Sequence, residues 1–221
     1  MMPIMKASVN HDVQSEIQRA VEMHGFIQKT MPTDNIKLET DAKLLFASLF
    51  SLVMEHHGAI LYLLRAGQFD GSAFALVCPL IECAYRAHWI YACAKPDIVL
   101  RIKNGEDVYP PLINMAEEIE KKLDTDGMFQ SITPYIRSLH GYTHGGLEQL
   151  GRRFDKAGNV SPNYSNDEKL EVIGITTGYF TALAIAWCQL VSNDPPDKEP
   201  RSKAISEFYV AKYPLPGTDA A

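Results

Sequence analysis

Apolar positions along this chain recur at steps of three and four residues, the period of one face of an α-helix, and no stretch alternates long enough to predict a strand. Residues 11–31 carry Val13, Ile17, Ala20, Val21, His24 and Ile27 at that spacing, which predicts an amphipathic helix. The run from Met31 and Pro32 to Asn35 ends it, since proline disfavours helix in the residue before it. A long helix is expected from Ile36 to Ala66, closed by Gly67. A second begins at Asp70 or Ser72 and runs to about Ala94, with Pro79 predicting a kink or a restart. The short link between the two predicts an antiparallel hairpin. Next come a short helix over 98–103, a turn over 104–107, and a polar helix over 111–123 with Ile113, Ala116, Ile119 and Leu123 as its stripe. Pro134 suits the first turn of a helix continuing through 137–148, where Gly141, Gly145 and Gly146 predict a break near Gly145. A polar loop over 155–167, an apolar helix over 167–192 and a short helix over 202–212 complete the pattern.

The fold this predicts is all-α: a single domain over 1–221, a helical bundle built on a long antiparallel hairpin. Residues 1–35 supply an N-terminal helix and linker, 36–192 the bundle core, and 193–221 a linker, a short helix and a loose tail. Hydrophobic residues make up 46% and charged residues 22%, ordinary for a soluble domain. A net charge of -6 weighs against a general nucleic-acid surface but permits a local basic patch. Val172 to Val191 has no formal charge over twenty residues, which meets the length of a membrane span. Thr176, Thr177, Tyr179, Thr181 and Gln189 within it, and its acidic flanks, favour a buried core helix instead. Its ridge of Gly174, Gly178, Ala182 and Ala186 would let another helix approach closely. Met1 to Asn10 shows no secretory pattern, and Cys78, Cys83, Cys93 and Cys188 lack Cys-x-x-Cys spacing. Reduced, buried thiols in a cytoplasmic protein, with no membrane and no cofactor, are the expectation.

Candidate chemistry concentrates in Arg137-Ser-Leu-His140-Gly-Tyr142-Thr-His144-Gly-Gly. On one continuous helix, Arg137, His140, His144 and Glu148 would share a stripe. One reading is a metal: His140 and His144 have the spacing of two zinc ligands, with a third from Glu82, Glu148 or His57. Gly141 stands where a metalloprotease motif has its glutamate. The preferred reading is metal-free. Arg137 would fork onto a phosphate while His144 or His140 takes a proton from an attacking hydroxyl, which RNA supplies as its own 2′-OH. Glu82 and Arg86, four residues apart on an apolar face, form either a structural clamp or the opposite wall of such a site, and Tyr142 would join it. In Glu55-His56-His57 the adjacent rings diverge by about 100°, so one at most, taken as His57, faces a shared cavity. A hydrogen-bonded interhelical histidine is the plainer reading of that pair. Arg152 and Arg153 read as a solvated helix end. His11 and His24 are assigned no role.

Arg137 followed after six residues by His144, with Pro-Leu-Ile-Glu82-Cys-Ala-Tyr-Arg86-Ala-His-Trp-Ile upstream, resembles the HEPN superfamily and bacterial proteins of the AbiV abortive-infection type over about residues 45–190. The resemblance implies a homodimer whose paired motifs form one metal-independent RNase site in a stress, toxin–antitoxin or phage-defence setting. Arg137 would bind phosphate and His144 would be the general acid/base. It equally covers relatives that act as non-catalytic modules binding a nucleotide, a small ligand or an antitoxin-like protein partner.

Overall fold

A computed structural model describes residues 12–32, 36, 38–125, 127–154, 158–160, 162–192 and 198–214. Among them every regular element is helical, and the nearest thing to a strand is an isolated bridge between Phe154 and Val160. The expected break at 33–35, most of the linker before Pro200, the tail beyond Pro214 and His11 lie outside the described residues.

Helix α1 (Val13–Thr30) buries Val13, Ile17, Ala20, Met23 and Ile27, close to the face its spacing predicts. Helix α2 (Asp41–Ala66) starts later than expected. Its cap is Thr40, whose hydroxyl accepts from the Lys43 N–H, and it closes on Gly67 at φ 69°. The helix expected from Asp70 to Ala94 is two, α3 (Asp70–Ala75) and α4 (Val77–Ala92), parted at Leu76. Pro79 is the cause, because it has no N–H to give the Ala75 carbonyl one turn back. That carbonyl accepts instead from the Thr143 hydroxyl at 3.2 Å. Neither Asp70 nor Ser72 caps α3; Asp70 pairs with Lys169 at 2.7 Å.

Helices α5 (Pro96–Lys103) and α6 (Leu112–Leu123) follow, and α6 buries Met115, Ala116 and Ile119 while Ile113 faces out, a rotation of the expected stripe. A 3-10 turn over Gln130–Tyr135 leads into α7 (Ile136–Thr143), then α8 (Leu147–Gly151), α9 (Asn166–Val191) and α10 (Pro200–Lys212). Ser165 and Glu168 form a full capping box at the start of α9.

The most extensive helix contact is α2 on α4, and α9 lies at the centre, touched by α1, α2, α4 and α10. Both α2 and α9 are long and apolar enough to cross a membrane by length and composition. In α9, however, 61% of the apolar window is already buried by the other helices. Its threonines suit that setting: Thr176 and Thr181 return their hydroxyls to the Val172 and Thr177 carbonyls, at 2.7 and 2.8 Å. The small-residue ridge is used only in part. Gly178 faces the Tyr209 hydroxyl of α10, whereas no group among the described residues lies against Gly174.

Two buried tyrosines hold the chain that leads into α7. The Tyr85 hydroxyl donates to the Phe129 carbonyl and lies 3.0 Å from that of Tyr179, which donates to the Met128 carbonyl at 3.1 Å. Glu120 accepts from the Phe129 and Gly127 N–H groups and from Thr125. Burial works against its charge, but these donors outweigh that and hold its carboxyl below the usual range.

Candidate functional site

With α7 pinned at both ends, by the tyrosine pair before it and by Thr143 on Ala75, its first turns lie against the Glu82 face of α4. A groove of about 420 Å³ opens there, lined by Glu82, Arg86, Tyr109, Pro110, Ile113 and His140 among others. Glu82 sits between two nitrogen groups: His140 Nε2 at 3.1 Å and the Arg86 guanidinium at 3.9 Å. An ionised carboxylate only accepts, so this bond puts an imidazole proton on Nε2 and turns the Nδ1 edge away from Glu82. The Cys78 thiol, one helical turn before Glu82, donates to the same carboxylate oxygen at 3.7 Å. Burial, then the Glu82 charge, push that thiol up to about 12. Arg86 lies over the Tyr109 ring at 4.9 Å, and its buried Nε has no hydrogen-bond partner among the described residues.

The sequence candidates divide by position. Glu82, Arg86 and His140 converge on the groove. His144, the residue that ends α7, stands beside His140 with ring centroids 6.2 Å apart and planes at 82°. Arg137 is exposed on the same helix, and among the described residues no group holds its guanidinium. The expected stripe from Arg137 to Glu148 is not continuous. The chain reverses at Gly145 with φ 65°, and the Glu148 carboxylate folds back into the space a Gly141 side chain would need. Gly146 is pressed against the Gly141 backbone in the same turn, so these motif glycines shape the α7–α8 corner.

Other expectations are corrected. His57 does not reach the groove and is the hydrogen-bonded interhelical histidine of the plainer reading: fully buried, it stacks on Phe180 and bonds His24 Nδ1 at 2.9 Å and the Thr177 hydroxyl at 3.1 Å. His24, assigned nothing from the sequence, is therefore its partner across α1 and α2. Burial, then His24, hold His57 down to about 3. Tyr142 turns away from the groove to pack on Phe74, and its hydroxyl accepts from Arg152 Nε at 3.3 Å. Arg152 also pairs with Glu168, and the Arg153 guanidinium lies against Gly71. Both arginines are thus engaged in the fold, not spread over a solvated helix end.

Sequence reasoning also passed over Cys78, read as an inert thiol, and the aromatic wall at Tyr109. The Cys78–Glu82 spacing was visible on α4, but what lay opposite was not. A family model described as a family of unknown function (DUF6988) matches residues 50–213, and the chain belongs to that family. No curated protein and no solved structure matches it.

Proposed function

We propose that this member of a family of unknown function is a HEPN-like endoribonuclease, metal-independent and homodimeric, acting in the cytoplasm of a bacterium under stress or phage attack. The observation that supports it best is the 3.1 Å contact between His140 and Glu82 at the edge of an open groove. A carboxylate that orients an imidazole fixes its tautomer and ring position, which is what proton abstraction from a 2′-hydroxyl requires. Arg86 and the exposed Arg137 supply positive charge for a phosphodiester, and His144, beside His140, is the second proton-transfer group in this reading. This reading moves the base from His144 to His140.

A non-catalytic reading draws on a different observation. Ile113, Tyr135, Leu147 and Leu150 are exposed on α6, α7's approach and α8, an apolar fringe suited to a protein partner or to the base of a nucleotide.

The test is RNA degradation by the purified chain in excess chelator, with its oligomeric state determined. Cleavage is expected, with His140→Ala, His144→Ala and Arg137→Ala each lowering it by about 100-fold or more. Intact RNA at high protein concentration, with RNA still bound, would favour the non-catalytic module.

A further inference from the structure

The geometry assigns a metal site that the sequence motif alone does not contain: Cys78 Sγ, Glu82 Oε1 and His140 Nε2 together bind one zinc-like divalent ion. Each of the three residues offers a ligand atom within 4.8 Å of the other two, with Cys78 Sγ to Glu82 Oε1 at 3.7 Å and Oε1 to His140 Nε2 at 3.1 Å. A tetrahedral zinc holds thiolate sulfur at about 2.3 Å and nitrogen or oxygen at about 2.0–2.2 Å, which sets ligand atoms about 3.4–3.6 Å apart. Two of the three edges already match this to within a few tenths of an ångström. The third can close by a rotation of the His140 ring, whose side chain is 48% exposed.

The frame for such a site is rigid. Cys78 and Glu82 are one turn apart on α4, hence on one face, and α7 is fastened to α3 through Thr143 and the carbonyl that Pro79 leaves open. A sulfur, a nitrogen and an oxygen donor suit zinc and its neighbours in the first transition row, not magnesium or calcium, which take oxygen ligands. Three protein ligands leave a fourth position on the groove side, the arrangement of an exchangeable or reactive ion instead of a closed structural one. His144 is the poorer companion for His140, since its ring stands edge-on at 6.2 Å. The spacing of the two histidines is therefore not what makes the site.

An ion bound there occupies His140 Nε2, so zinc and the proton transfer proposed above compete for one imidazole. The assignment rests on the ligand geometry and not on the RNase reading, and it is tested without RNA. The full chain, stripped with chelator, is titrated with zinc against a competing metal-binding dye and then examined with cobalt(II). One zinc per chain is expected. His140→Ala and Cys78→Ser should each weaken binding by at least about tenfold, as loss of a ligand costs no less than loss of an outer-shell partner. Cys83→Ser, on the same helix but outside the triad, should leave affinity unchanged. The cobalt form should show a thiolate-to-metal charge-transfer band that Cys78→Ser removes. Unfolding curves for each variant separate lost ligation from lost fold, and His140 is exposed enough for its variant to stay folded. No zinc uptake, or affinity unchanged in either ligand variant, would overturn the assignment. Neither result would alter RNA cleavage measured in chelator.

Discussion

Two histidine pairs in this molecule have opposite settings. His24 and His57 stack with Phe180 between α1, α2 and α9, and their ring nitrogens bond each other and Thr177. His140 lines a groove beside α7 and bonds Glu82, His144 stands next to it at the end of that helix, and both are open to solvent. Identical side chains thus do different work. In the first pair the imidazoles are packed groups whose charging is suppressed by burial, with both ring nitrogens of His57 bonded. In the second the imidazole is an accessible base and a ready ligand. The lesson is that burial, not residue type, separates packing histidines from those able to act on a ligand.

That contrast can be broken experimentally, and the largest effect lies in the core. Phe180 is fully buried and stacks on both His24 and His57. Phe180→Ala is expected to cost about 3–5 kcal/mol, measured by denaturant unfolding, because it opens a cavity under the pair. A loss below about 1 kcal/mol would mean that this half of the bundle is loosely packed.

The next effect is a pH dependence that belongs to the buried histidines. His57 is held down to about 3 and His88, buried against the Ala84 carbonyl, to about 4, each chiefly by burial. Both are therefore neutral in the fold, while the unfolded chain takes up protons below about pH 6.5. Stability is full above that value and declines as pH falls toward the folded values. The slope should approach about 1.4 kcal/mol per pH unit for each histidine. Urea midpoints between pH 7 and pH 5 would show this decline, and His57→Gln should make it shallower. An identical slope in that variant would remove His57 from the explanation.

The smallest effect should come from the groove. His140→Ala is expected to change unfolding free energy by no more than about 0.5 kcal/mol, since it removes an exposed side chain with one polar contact. If it destabilises as a core variant does, His140 is a structural clamp and the division between the two pairs fails.

How much of this was legible in the chain follows from which signals are local. The helical class was, because period and capping are read from neighbours: Ile17, Ala20 and Ile27 pointed inward as spaced, and Gly67 ended α2 where a left-handed residue was needed. The start of α2 was misplaced because Ile36 and Leu38 continue the apolar count while Thr40 supplies the actual cap. The break at Leu76 was half visible, since Pro79 must interrupt a hydrogen bond, but the Thr143 hydroxyl that takes over the freed carbonyl is far along the chain.

The site divides in the same way. Spacing placed Glu82 with Arg86 and His140 with His144 as neighbours on their own helices, since a helical turn is a property of the sequence. Whether those helices met, and which side chains faced each other, depended on long-range packing. Tertiary structure put His140 on Glu82, drew Cys78 into the same cluster, sent Tyr142 to Arg152 and withdrew His57 into the core. The physical reason is range: capping and periodicity act over one turn, whereas burial and the meeting of distant ligands exist only once the whole bundle has closed.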